Sequence, residues 1–119
     1  INIEQQQGSS LCERMNNCLF LESSKYEKTI LIGSDIPSLT KDIITDAEYS
    51  LLKKDIVIGP STDGGFYLIG VKRPYENLID CTKPMNIENL KYNINSRSLD
   101  LELLKELKDI DTPKDLLFI

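Results

Sequence analysis

Apolar residues along the chain fall into two patterns, helical stripes and short unbroken runs, and the two alternate. Ser10 and Glu13 have capping-box spacing, and Leu11, Met15, Cys18 and Leu19 follow at helical intervals. This predicts an amphipathic helix from about Ser10 that ends in the polar stretch from Glu22 to Lys28. Thr29-Ile30-Leu31-Ile32-Gly33 is a continuous β-branched run, the signature of a strand buried on both faces. It leads into Ser34-Asp35-Ile36-Pro37, where Pro37 prevents a helix until the next start signal, Thr40. From Thr40, Ile43, Ile44, Ala47, Leu51 and Leu52 form one stripe and predict a helix to about Lys54. Asp55 to Gly59 reads as a second buried strand, and together with the preceding strand and helix it forms a right-handed βαβ unit.

A loop, Pro60-Ser61-Thr62-Asp63-Gly64-Gly65, precedes a third strand from Phe66 to Val71. Residues 74–98 read as loop with a helix near Ile87, and Leu99 to Leu107 reads as helical, with Leu103, Leu104 and Leu107 on its core side. In the tail, Thr112 is an N-cap, Pro113 a first helical residue and Asp115 a dipole-compatible third one, so a helix is expected to begin there, within about a turn of the last residue. Residues 1–7 carry no structural signal. The class is α/β, in a single domain over residues 1–119.

Composition narrows the chemistry. A formal net charge of -5 disfavours nucleic acid or an anionic membrane as the principal partner. The three cysteines, Cys12, Cys18 and Cys81, include no close pair, which suggests buried thiols in a reducing compartment rather than a disulfide framework or a zinc site. The chain contains no histidine, which removes histidine-based nucleophilic catalysis and histidine metal sites. Any metal would need oxygen ligands, as magnesium, manganese or calcium does. No run reaches the roughly 20 apolar residues that span a bilayer.

Three acidic loops can carry chemistry, and each has a structural reading beside the functional one. Asp35 follows a buried strand at its carboxyl end, where α/β sheets collect ligands; it would equally cap a turn before Pro37. Asp63-Gly64-Gly65 suits a tight turn, although the loop exceeds a two-residue hairpin, and Gly59, Pro60, Gly64 and Gly65 suggest a backbone shaped for close approach. Asp109 and Asp111 flank one apolar residue. In an extended segment both face one side and could chelate a hard cation, whereas at a helix start they are solvated.

Four strings occur in order: Gly8-Ser9-Ser10-Leu11-Cys12-Glu13-Arg14-Met15, Ile32-Gly33-Ser34-Asp35-Ile36-Pro37-Ser38-Leu39-Thr40, the stretch from Asp55 to Gly70 with its Gly59-Pro60-Ser61-Thr62-Asp63-Gly64-Gly65 core, and Asp109-Ile110-Asp111-Thr112-Pro113-Lys114-Asp115-Leu116. Together they closely resemble a bacterial glycosyltransferase-A-like family, domain-of-unknown-function family 2064 of the nucleotide-diphospho-sugar transferase superfamily. The likeness extends more distantly to guanylyl- and cytidylyltransferases of cofactor biosynthesis. It implies a Rossmann-like three-layer sandwich with a mostly parallel mixed sheet, present here as the C-terminal portion of a domain. It implies that Asp35 and Asp111 bind a divalent metal, Mg or Mn, and that Asp35, Asp63 and Asp111 form the catalytic set. Gly64 and Gly65 would face acceptor or sugar. Ser34 and Asp109 would join the substrate site, with Arg14 assisting at phosphate. The family's first strand and basic glycine loop do not precede Ile1, and its Trp-Ser-Thr stretch is not visible, although Cys81-Thr82 lies near its place.

The function this implies is a metal-dependent glycosyltransferase acting on a nucleotide-diphospho-sugar. The alternatives are nucleotidyl transfer, or an inactive binding or scaffold remnant of the fold, and a fragment without the nucleotide half is expected to be inactive alone. A phosphatase-like hydrolase lacks the required aspartate two residues before Thr or Val at a strand end. The expected partners are a nucleotide-activated small molecule and, through exposed strand edges, a second copy of the chain; neither nucleic acid nor membrane is expected. The expected location is the cytoplasm.

Overall fold

The computed structural model describes residues 2–3, 11–33, 40–62, 64–107 and 116–118. The elements are β1 (Asn2–Ile3), α1 (Leu11–Ser23), β2 (Thr29–Gly33), α2 (Lys41–Ser50), β3 (Ile56–Pro60), β4 (Phe66–Val71), α3 (Ile87–Ser96), β5 (Leu101–Leu103) and β6 (Leu116–Phe118). The strands form one sheet in the order β1-β6-β2-β4-β3-β5.

Local chemistry explains the starts of two helices. The hydroxyl of Thr40 accepts the Ile43 amide at 3.4 Å and starts α2. Asn86 does the same for α3, its side-chain oxygen accepting the Asn89 amide at 2.9 Å. The α2 stripe buries Ile43, Ala47 and Leu51, but the helix ends at Ser50 and Leu52 is exposed.

The two faces of the sheet bury two clusters. Leu31, Ile56, Ile58, Ile69 and Val71 meet Cys12, Met15, Cys18 and Leu19 of α1 and Leu90 and Ile94 of α3 on one side. Ile30, Ile32, Val57 and Leu68 meet Ile43, Ala47 and Leu51 on the other, with Leu107. Alternation along the strands thus divides the core between α1 and α3 on one face and α2 on the other, giving three layers. The alternation breaks once. Consecutive Gly59 and Pro60 pair with Leu68 and Phe66, so β4 bulges at Tyr67. Phe66 therefore packs with the α1 and α3 layer, while Tyr67 joins Leu68 in the other.

β2 and β3 run in the same direction and are joined through α2, as the βαβ pattern predicts, but β4 inserts between them antiparallel to both. Four strands share one direction, yet β3–β5 is the sole parallel pairing among the five. Burial on both faces produces unbroken apolar runs in either type of pairing, so the runs alone do not reveal the neighbour.

Two expectations are corrected here. Leu99 to Leu107 is not a helix: Leu101–Leu103 pairs with β3, and Leu107 bridges to Ser61. The leucines reach opposite layers, Leu99 and Leu101 packing beside α1 and α3, Leu104 and Leu107 beside α2. A helical stripe would have kept them on one face. The three-cysteine chain also contains a disulfide, Cys12–Cys81, which spans a sequence separation of 69 with Cα atoms 5.7 Å apart. Two cysteines this distant in sequence leave no spacing signal; the fold brings α1 against the segment before α3. Cys18 is the buried thiol. The expected start of a helix at Pro113 lies outside the described residues, and Leu116–Phe118 is a strand paired with β1 and β2.

Candidate active site

One end of the sheet gathers the attachments of every acidic segment. β2 leaves the sheet at Gly33, which pairs with Leu116, the first residue of β6. Pro60 at the end of β3 pairs with Phe66 at the start of β4. Leu107, just past β5, lies beside Ser61 and donates its amide to the Pro60 carbonyl at 3.0 Å. The segments 34–39, 61–65 and 108–115 therefore all join described backbone at this end. Asp35, Ser34, Asp63, Asp109 and Asp111 themselves lie outside the described residues.

The glycine loop is described on either side of Asp63. Ser61 donates its amide to Gly65 carbonyl at 3.0 Å, and Gly64 donates to Ser61 carbonyl at 3.2 Å. Gly64 adopts φ +93°, a conformation side chains resist, and a Cβ there would meet nothing within 4 Å. The glycine is thus required by backbone conformation, and the space over it is open. Thr62 donates to Leu107 carbonyl at 2.9 Å, tying the loop to the end of the β5 segment.

Gly59 is different. A Cβ at Gly59 would sit 2.3 Å from the Tyr67 ring, so the close approach that the sequence suggests here is to the protein's own side chain. The Tyr67 hydroxyl donates to Lys105 carbonyl at 2.8 Å, and burial pushes its pKa up to about 12.

A contact missed in the sequence links the loop to the far helix. Ile87, the first residue of α3, donates its amide to Gly64 carbonyl at 2.8 Å. Asn86 as N-cap was the available signal, since asparagine before an amphipathic stretch marks a helix start. The α3 N-terminus is therefore anchored at the glycine loop.

Arg14 lies in α1, which ends five residues before β2 begins, so its first turns are the part remote from the start of β2. Its Nε is buried and makes no hydrogen bond among the described residues. Among the described residues, no three acidic, cysteine or histidine side chains come together as a metal group. No helix of the described residues is long and apolar enough to cross a membrane.

The three layers and the mixed sheet, with its loops collected at the carboxyl ends of β2 and β3, define a nucleotide-diphospho-sugar-transferase type of fold. A solved structure from Desulfovibrio desulfuricans G20, described as a "putative nucleotide-diphospho-sugar transferase", superposes with a TM-score of 0.81 at 29% identity over 90% of this chain. The chain spans 49% of that protein's length. Residues 1–83 match the family described as "Uncharacterized protein conserved in bacteria (DUF2064)", and the chain belongs to that family. No curated protein matches.

Proposed function

We propose that this chain carries the metal and acceptor portion of a glycosyltransferase that uses a nucleotide-diphospho-sugar, with its site at the sheet end formed by Gly33, Pro60, Phe66, Leu107 and Leu116. The observation that carries the reading is that three acidic segments are attached to described backbone at one end of a transferase-type sheet. The donor set also fits. With no histidine in the chain, a site built on Asp35 and Asp111 offers carboxylate oxygens alone, which suit Mg or Mn. When bound, such an ion neutralises diphosphate charge and stabilises the leaving group.

The chain's own residues do the rest. Asp35 and Asp111 hold the ion. The Arg14 guanidinium, whose Nε has no partner among the described residues, supplies further positive charge toward phosphate. Asp63 accepts a proton from the acceptor, and the open backbone at Gly64 lets the acceptor lie close to the loop, as do Gly65, Ser34 and Asp109 around it. Location in the cytoplasm and self-association through the edge strands β1 and β5 belong to the same proposal.

Isothermal titration of the chain with UDP, GDP and CDP, each with and without manganese, tests this. Manganese-dependent binding of one nucleotide, abolished by Asp35→Ala with thermal stability preserved, is expected. A folded sample that binds neither manganese nor any of the three nucleotides overturns the proposal. So does an Asp35→Ala variant that binds normally but loses about 1 kcal/mol of stability, the signature of a turn cap.

A further inference from the structure

The disulfide opens onto a cleft of its own. Asn17 of α1, Asn77, Asp80, Cys81 and Thr82 of the following segment, and Asn93 of α3 line a depression of about 580 Å3. That volume lies within the range of small-molecule sites. Its wall carries the amides of these asparagines, the Thr82 hydroxyl and the carboxylates of Asp80 and Glu13, a surface suited to a polar ligand that brings an ammonium and hydrogen-bonding groups. The two sulfurs are unequally placed: Cys12 is 8% exposed, whereas Cys81 is exposed and lines the cleft.

We propose that Cys12–Cys81 is a thiol-exchange site, and that the cleft receives a low-molecular-weight peptide thiol of the glutathione class that attacks Cys81. The incoming thiolate forms a bond to Cys81 Sγ, the Cys12–Cys81 bond breaks, and its electron pair leaves on Cys12 Sγ. Cys12 occupies the first turn of α1, where the positive end of the helix dipole favours a departing thiolate. A second thiolate then attacks the sulfur of the bound thiol, forms a small-molecule disulfide and releases Cys81 as thiolate. Both cysteines take protons from water, and two electrons pass from the small thiols to the protein.

The surrounding contacts confine the effect. Asn16 holds Ile79 from both sides, donating to its carbonyl at 2.8 Å and accepting its amide at 2.9 Å, and Leu78 and Ile79 are buried. The same Asn16 amide also donates to Cys81 Sγ at 3.4 Å, so the clamp touches the disulfide, while its two bonds to Ile79 are made to backbone. Opening the disulfide loosens the stretch from Asp80 to Asn86, which starts beside the Asn16 clamp and leads to the Ile87 amide on Gly64. The exchange site is thus wired to the glycine loop through the start of α3. A disulfide that small thiols open is also the kind a reducing compartment tolerates, as a switch rather than a staple.

The test starts with alkylation of the air-oxidised, denatured chain without reductant, where Cys18 alone should react; labelling of all three cysteines overturns the proposal. The native chain is then treated with reduced glutathione, acid-quenched and peptide-mapped. A glutathione adduct on Cys81 is expected, while an adduct on Cys12, or exchange only after denaturation, overturns it. Single variants separate access from folding. With oxidised glutathione, Cys12→Ser should gain an adduct on Cys81 with release of one reduced glutathione, and Cys81→Ser should leave Cys12 unmodified; the reverse pattern overturns the assignment. Hydrogen exchange on the reduced native chain should be about tenfold faster over residues 80–87 and the 61–65 loop, with β2, β3 and β4 unchanged. Uniform acceleration through the sheet, or none at all, is incompatible with a local switch. None of these readouts involves nucleotide binding, so the switch and the proposed transferase activity can fail independently.

Discussion

At the scale of single residues, the Gly59–Tyr67 pair shows how one missing side chain organises the loop end of the sheet. The bulge in β4 turns the Tyr67 ring onto Gly59, and the ring fills the volume a Cβ would need. The phenol then reaches Lys105 carbonyl and ties β4 to the segment beyond β5. Burial disfavours the phenolate, so the folded chain holds this proton up to about pH 12 while an unfolded tyrosine releases it near 10. Between those values the unfolded state binds fewer protons than the folded one. The stabilisation from a buried neutral Tyr67 is therefore complete below pH 10 and is lost as pH rises through the folded value. Urea melts from pH 9 to 12 should show a fall in stability that Tyr67→Phe reduces. Tyr75, raised by burial and then by Asp55, should contribute to the residual fall. At neutral pH the same variant should lose about 1 kcal/mol for the missing hydrogen bond. An alkaline profile identical in wild type and Tyr67→Phe would show that this ring ionises without cost.

At the scale of elements, the chemistry of start signals and buried runs made β2, α2, β3, β4 and α3 legible, and their boundaries shift by only a few residues. β5 was illegible for a physical reason. Leucine is a strong helix former, and Leu103, Leu104 and Leu107 recur at helical spacing, so local preference and tertiary pairing disagree. The edge of β3 wins: Asp100 carbonyl accepts the amides of Asp55 and Ile56, and Leu104 donates to Ile58 carbonyl at 2.8 Å. The two assignments make opposite claims about Leu103 and Leu107, which a helix would bury together. In the sheet, Leu103 is 42% exposed and Leu107 5%. Chemical denaturation should find Leu103→Lys within about 0.5 kcal/mol of wild type and Leu107→Ala destabilised by about 2–5 kcal/mol. Equal large losses at both positions would restore the helix. In the loop before β4, Gly64 was legible as a turn residue, because its φ of +93° selects glycine. The disulfide was not, since its two cysteines carry no information about each other until α1 packs against the chain beyond β4.

At the scale of the whole molecule, the disulfide and the sheet act on different states of the chain. The sheet places β6, from the end of the sequence, between β1 and β2, so the folded chain is closed through long-range pairings whether or not Cys12 and Cys81 are joined. The covalent link works mainly by limiting the unfolded chain, and a closed loop with a sequence separation of 69 removes about 4 kcal/mol of denatured-state entropy in the chain-entropy treatment. The Asn16–Ile79 bonds run to backbone and Leu78 is buried in the core, so these native contacts should survive reduction. Reduction is therefore expected to lower the free energy of unfolding by about 2–4 kcal/mol while leaving a cooperative transition, because domains of this size are held by about 5–15 kcal/mol. The measurement is a pair of urea titrations, with and without reductant, on wild type, Cys12→Ser and Cys18→Ser. Wild type and Cys18→Ser should each shift to a lower midpoint on reduction, and Cys12→Ser should already melt at the reduced midpoint and ignore the reductant. A reduced chain with no cooperative transition would mean that the link holds the native packing itself, and would give the disulfide a structural rather than a switching role.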